Sequence, residues 1–153
     1  MQNLEIIPFQ AELQPEFEAI NREWVEELFS LEPFDIAQLQ SPQETIIEKG
    51  GAIYFAKMND QILGTVGLSK VDKHTFELIK MGVKKSAQGK GVGMFLGQQA
   101  LNKAKEMGAN KVVLYTHTKL QSALRIYQKL GFKEVPVRDG KYCRCDLMME
   151  VDV

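Results

Sequence analysis

The residues whose types and spacing could do chemistry are concentrated in one run, Glu77-Leu78-Ile79-Lys80-Met81-Gly82-Val83-Lys84-Lys85-Ser86-Ala87-Gln88-Gly89-Lys90-Gly91-Val92-Gly93. A strand pattern breaks into a glycine-punctuated turn, and an amphipathic helical pattern follows at once. Several backbone N–H groups and the positive end of a helix dipole therefore converge on one point, which suits a phosphate. A glycine weakens a helix by roughly 1 kcal/mol relative to alanine. Gly89, Gly91 and Gly93 near one helix start thus indicate close approach of a ligand rather than a plain tight turn. The spacing is selective. A nucleoside-triphosphate loop needs G-x-x-x-x-G-K-[ST], but Gly89-Lys90 is followed by Gly91, which leaves no hydroxyl for magnesium. A dinucleotide fingerprint G-x-G-x-x-G places its third glycine on Met94 or Leu96, and residues 111–117 offer no acidic side chain for a ribose.

The turn Gln88-Gly89-Lys90-Gly91-Val92-Gly93 resembles the Q/R-x-x-G-x-G/A turn of the GNAT N-acetyltransferase superfamily, which cradles the pyrophosphate of acetyl-coenzyme A. Downstream, Ser122-Ala123-Leu124-Arg125-Ile126-Tyr127-Gln128-Lys129-Leu130-Gly131-Phe132 is similar to the second family signature, A-x-x-L-Y-x-K-x-G-F. The two stand in the family's order, at about its separation, and cover roughly the C-terminal half. The resemblance implies the α/β GNAT fold of acyl-CoA N-acyltransferases: a mixed central sheet splayed between its two middle strands, with helices on both faces. It also implies acetyl-CoA as co-substrate and transfer of the acetyl group to a primary amine by direct attack in a ternary complex. A longer acyl group is a close variant. The alternative from another class is an acyl-CoA-binding sensor or regulatory module without turnover. The acceptor is open among small-molecule, peptide and protein amines.

Carried over motif by motif, the resemblance assigns roles to particular residues. Backbone along Met81-Gly82-Val83 contacts the pantetheine arm, with the Met81 N–H aimed near the thioester carbonyl, and Gln88, Gly89, Lys90, Gly91, Val92, Gly93 and Met94 hold the pyrophosphate. An unpaired strand edge suits this, because its donors and acceptors need partners and the pantetheine amides can supply them. Tyr127 falls where the family often has a tyrosine that protonates the departing thiolate, a phenol with a pKa of about 10 keeping its proton at neutral pH; the other reading is an aromatic packed on a helix. Glu77 begins the cofactor strand, where some members place a glutamate that takes the ammonium proton directly or through water; the other reading is an exposed strand carboxylate. His117 stands where relatives commonly have asparagine; it either hydrogen-bonds in its place, serves as a base, or is a strand-end histidine. The acceptor is expected against Trp24, Glu27 and Phe29, in an acidic stretch that also holds Glu23, Glu26, Glu32, Phe34 and Asp35. Those glutamates make either a rim for a cationic amine or a solvated helix face.

The whole chain sets the bounds. Its 153 residues, 44% hydrophobic and 25% charged, suit a single globular N-acetyltransferase domain over 1–153 without low-complexity tracts. No apolar run approaches membrane-spanning length, and residues 1–8 lack the features of a secretion signal, so a cytoplasmic protein that does not engage membranes is expected. Nineteen basic against twenty acidic residues give a net charge of −1, which argues against nucleic acid as a partner. Phosphate attraction must then be local, with Lys84, Lys85 and Lys90 as candidates. Cys143 and Cys145 would share one strand face too far apart for comfortable bridging, and no histidine is near enough to complete a zinc site. Reduced cysteines and no metal are expected, and neither cysteine falls on a matched site position. A homodimer through the last strands is open.

These residues must be positioned by elements legible in the patterning. A strand is expected over 4–9, then a helix whose stripe is Phe17, Ile20, Trp24 and Leu28. Pro33 and Pro42 bound a short helix over 35–40, and another turn is expected at 44–48. Strands over 52–57, 61–70 and 74–83 form an antiparallel meander. A helix over 89–107, with Val92, Leu96, Ala100 and Ala104 in a row, then leads to a strand over 111–117, a parallel crossover. A helix over 121–130 and two strands joined around Asp139-Gly140 finish the order.

Overall fold

The structure is a computed structural model that describes residues 3–137 and 145–153. Its described strands are β1 (Glu5–Pro8), β2 (Ala52–Met58), β3 (Gln61–Lys70), β4 (Thr75–Val83), β5 (Lys111–Thr116), β6 (Lys133–Val135) and β7 (Leu147–Asp152). The α-helices are α1 (Gln14–Leu28), α2 (Pro33–Gln40), α3 (Val92–Glu106) and α4 (Gln121–Lys129), with a π-helical turn at Gln43–Ile47 and a 3-10 turn at Lys85–Ala87. The sheet order is β1-β2-β3-β4-β5-β7-β6. Its neighbours are antiparallel except β4 and β5, which run parallel because α3 carries the chain back across the sheet. The final strand inserts between β5 and β6. The link expected at Asp139-Gly140, and Cys143, lie outside the described residues.

Two apolar cores cover the faces of the sheet. One packs α3 on the sheet through Leu68, Phe76, Leu78, Leu96, Ala100 and Val112; the other joins Phe17 of α1 and Leu39 of α2 to Ile53, Phe55 and Ile79. The expected row Val92, Leu96, Ala100 and Ala104 is buried throughout. The helix starts at Val92 rather than 89, because Gly89 and Gly91 adopt φ of 78° and 83°, outside helical space.

The stripe of α1 is corrected. Phe17, Ile20, Asn21 and Val25 are buried, whereas Trp24 is half-buried and Leu28 is exposed. A 3.6-residue repeat allows either set, and Asn21 fits the interior because its amide is satisfied: Nδ2 donates to the Phe17 carbonyl at 2.9 Å, and Oδ1 accepts from Trp24 Nε1 at 3.0 Å. Trp24 then lies against Gly82 of β4, where an added Cβ would come within 2.9 Å of the indole Cδ1.

Two irregularities of the sheet matter most. The parallel ladder joins Thr75, Phe76 and Glu77 only to Lys111, Val112 and Val113, so β4 continues from Leu78 to Val83 without β5 beside it. On its other side, β4 pairs Ile79 with Gly67 and Gly82 with Thr65, which sets Lys80 and Met81 together opposite Val66. This is a bulge, and Lys80 adopts φ of 52° within it. Among the described residues no helix is long and apolar enough to cross a membrane.

Candidate active site

Where β4 and β5 part, a half-open cleft of about 680 Å³ is lined by residues of α1, β4, the glycine turn, α3, β5 and α4. Its closed end is the last paired position, Glu77, and its mouth carries the turn Gln88–Gly91. Within the turn, no N–H from Gly89 through Met94 makes a hydrogen bond of ordinary geometry to a described residue; the next, Phe95 N–H, bonds to the Gly91 carbonyl at 3.0 Å. Six main-chain donors at a helix start are thus left to an outside acceptor. Gln88 instead turns back, its Nε2 donating to the Val83 carbonyl at 3.2 Å.

The sequence-derived site is largely brought together. Met81, Gly82, Val83, Gln88, Gly89, Gly91, Val92, Gly93, Met94 and His117 line the cleft, as do Glu77, Tyr127, Trp24, Glu27 and Phe29. Lys90 does not. Gly89 and Gly91 have open space where a Cβ would go, whereas Gly93 is needed for packing: its Cβ would come within 2.8 Å of Ile126 Cδ1. The close approach expected of all three glycines to a ligand is therefore, at Gly93, an approach of α3 to α4.

Tyr127 is 7% exposed, packs edge to face on Phe132 with ring centroids 5.7 Å apart, and has no hydrogen bond to its hydroxyl from any described residue. Burial pushes its phenol well above the ordinary tyrosine value, which favours the protonated form. Glu77 is 2% exposed, which makes it a buried carboxylate at the apex of the cleft and not a surface strand residue. His117 Nδ1 accepts the Lys119 N–H at 2.9 Å, and Nε2 faces Asp146 Oδ2 at 3.6 Å. Its ring meets Phe29 edge-on at 5.5 Å, forming a wall.

Charges around the cleft differ from expectation. Lys84 pairs with Glu16 at 3.1 Å, and Lys85 pairs with Glu27, whose carboxylate holds the Lys85 amine above its usual value. Two of the three lysines expected near phosphate, Lys84 and Lys85, are thus directed to α1 instead. Arg22 engages Glu18 at 2.8 Å and Glu26 at 3.4 Å, so much of the acidic rim is already neutralised.

Sequence reasoning missed Lys80, Lys119, Arg125 and Cys145 as cleft residues. Lys119 lies 5.0 Å over the Phe29 ring and donates to the Leu28 carbonyl at 3.4 Å, a cation at the end of α1. Lys80 forms an ion pair with Asp35 at 2.5 Å, their side chains 3% and 1% exposed. A lysine inside the apolar run of β4 was the available signal. Among the described residues, no group of three or more His, Cys, Asp or Glu is arranged to hold a metal.

A sheet opened between its parallel strands, with an amide-lined turn at the mouth, is the architecture of GNAT-type acyltransferases. The chain matches the acetyltransferase (GNAT) family over residues 11–132 and belongs to that family. It is an N-acetyltransferase. The uncharacterized N-acetyltransferase YvbK of Bacillus subtilis is 33% identical over 105 residues, covering 67% of this chain and 68% of YvbK. Human N-acetyltransferase 8B is 33% identical over 92 residues, covering 57% of this chain and 40% of the human protein. In three dimensions, a GNAT acetyltransferase of Staphylococcus aureus Mu50 superposes with a TM-score of 0.88 at 22% identity, over 98% of this chain and 99% of that one. A GNAT acetyltransferase of Elizabethkingia anophelis, solved with acetyl-CoA bound, superposes with a TM-score of 0.67 at 24% identity, over 100% of both chains.

Proposed function

We propose that this chain transfers the acetyl group of acetyl-CoA to a primary amine by direct attack in a ternary complex. The observation that carries the reading is the parting of β4 from β5 beyond Glu77, next to a turn whose six N–H groups make no hydrogen bond of ordinary geometry to a described residue. The free edge of β4 suits the amides of a pantetheine arm, and the turn suits a diphosphate. The Met81 N–H, from the second residue of the bulge, is the donor for the thioester oxygen as charge develops on it.

In the reaction the amine nitrogen forms a bond to the carbonyl carbon, and the carbon–sulfur bond then breaks with its electron pair on sulfur. Glu77 takes the proton released by the attacking nitrogen, directly or through water. Tyr127 gives its proton to the departing sulfur and is restored from solvent. Burial favours the protonated phenol that the acid role of Tyr127 needs. The acceptor approaches along Trp24, Glu27 and Phe29. Cys145, although in the lining, has no part in this direct route.

The test is a thiol-release screen with acetyl-CoA against a broad panel of amines. Amine-dependent release with matching N-acetylated product supports the reading. Tight acetyl-CoA binding without release for any amine would replace it with the sensor alternative.

A further inference from the structure

We propose that the buried Lys80–Asp35 ion pair is a positioning device that sets the aim of the Met81 N–H toward the thioester oxygen. The inference rests on the acetyl-transfer reading and adds residues that touch neither the pyrophosphate turn nor the leaving sulfur.

Strand alternation shows what the pair does. Phe76 and Leu78 face the α3 core, while Ile79 faces the α1 and α2 core. Continued without interruption, the alternation would drive the Lys80 ammonium into the α3 core, and desolvation without a partner makes that prohibitive. The bulge opposite Val66 resets the phase. Lys80 adopts φ of 52°, a conformation seldom taken by L side chains, and its Nζ reaches Asp35 of α2 at 2.5 Å. Met81 and Val83 then pack against the α3 side again. The buried lysine charge therefore requires the bulge.

The anchor is itself held. The other oxygen of Asp35, Oδ2, accepts the Glu32 N–H at 3.1 Å, and the Glu32 side chain completes a capping box at the start of α2. One carboxylate thus ties the first turn of α2 to the central peptide of the free β4 edge, across 45 positions of sequence. A buried ion pair is commonly no more stabilising than a well-packed apolar pair, which points to geometry as its role. Here the geometry it fixes is the left-handed residue immediately before the oxyanion donor. Lys80 and Asp35 are positioning residues, acting through the backbone of Met81.

The experiment uses acetyl-CoA carrying a 13C-labelled carbonyl, bound to the full chain without acceptor, and reads the carbonyl stretch by difference infrared spectroscopy. Two variants are compared with wild type: Asp35→Asn, and Lys80→Met combined with Asp35→Leu, which leaves no buried charge and so protects the fold. Wild type is expected to shift the band to lower wavenumber than free acetyl-CoA. Both variants should return it toward the free value and lower kcat by about tenfold or more, while the Kd of coenzyme A, which has no thioester carbonyl, changes by less than about threefold. A band and kcat equal to wild type in either folded variant would overturn the proposal. So would a parallel loss of coenzyme A affinity and turnover, because that marks collapse of the cleft. If wild type binds acetyl-CoA without shifting the band, the Met81 reading itself fails, which is a distinct result.

Discussion

Replacing Tyr127 with phenylalanine separates chemistry from packing. The hydroxyl has no hydrogen bond from a described residue, so its removal leaves no protein group orphaned, and stability near neutral pH should change by no more than about 1 kcal/mol. The ring still packs edge to face on Phe132. Turnover is another matter. A thiol with an ordinary pKa of about 8.5 is a fair leaving group, and burial raises the basicity of the sulfur as it raises the phenol, so the loss should fall at the low end of general-acid effects, about a hundredfold in kcat. That corresponds to about 2.7 kcal/mol of transition-state stabilisation. The assay is single-turnover thiol release from acetyl-CoA with an amine identified by the screen, so that product release does not mask chemistry. The KM for acetyl-CoA should hold within about threefold.

The same substitution has a signature in alkali. Folding raises the Tyr127 pKa, so its contribution to stability is complete below the unfolded value of about 10 and is lost as pH rises toward the folded value. In that window the unfolded wild-type chain releases a proton that the folded chain keeps, which lowers wild-type stability by about 1.4 kcal/mol per pH unit. Tyr127→Phe lacks this loss and should outlast wild type in alkaline denaturation. A kcat within about twofold of wild type, in a variant that behaves this way in alkali, would refute the acid role while upholding the burial.

Gly91→Asp should weaken coenzyme A binding by about a hundredfold or more in calorimetry, because it sets a carboxylate among unbonded N–H groups at φ of 83°; binding within about fivefold of wild type would contradict the phosphate site. Gly82→Ala places a Cβ 2.9 Å from Trp24 Cδ1 and 3.0 Å from Ile20 Cγ2, so thermal melting should show a loss of about 1–3 kcal/mol; an unchanged melting temperature would mean that α1 adapts freely. Lys84→Ala and Lys85→Ala should each change the KM for acetyl-CoA by less than about threefold, since both side chains serve Glu16 and Glu27; a tenfold rise would show that they swing to the phosphates.

The sequence by itself determined the local features. Runs of alternating or periodic apolar residues located the strands and helices, with β3 found at its observed bounds, because each element's pattern is written along its own length. The glycine turn and the signature around Tyr127 were legible for the same reason: an amide cradle is built from consecutive residues and needs no distant partner. Only the tertiary structure decided what depends on two segments meeting. The stripe of α1 could fall on Trp24 or on Val25 until β4 presented Gly82 as a seat for the indole. Lys84 and Lys85 looked available to phosphate until α1 brought Glu16 and Glu27 to them. The bulge, the left-handed Lys80 and its pairing with Asp35 left one trace in the sequence, a lysine within an apolar strand. An ion pair between positions 45 apart is set by how α2 packs on the sheet, and no local period records that distance.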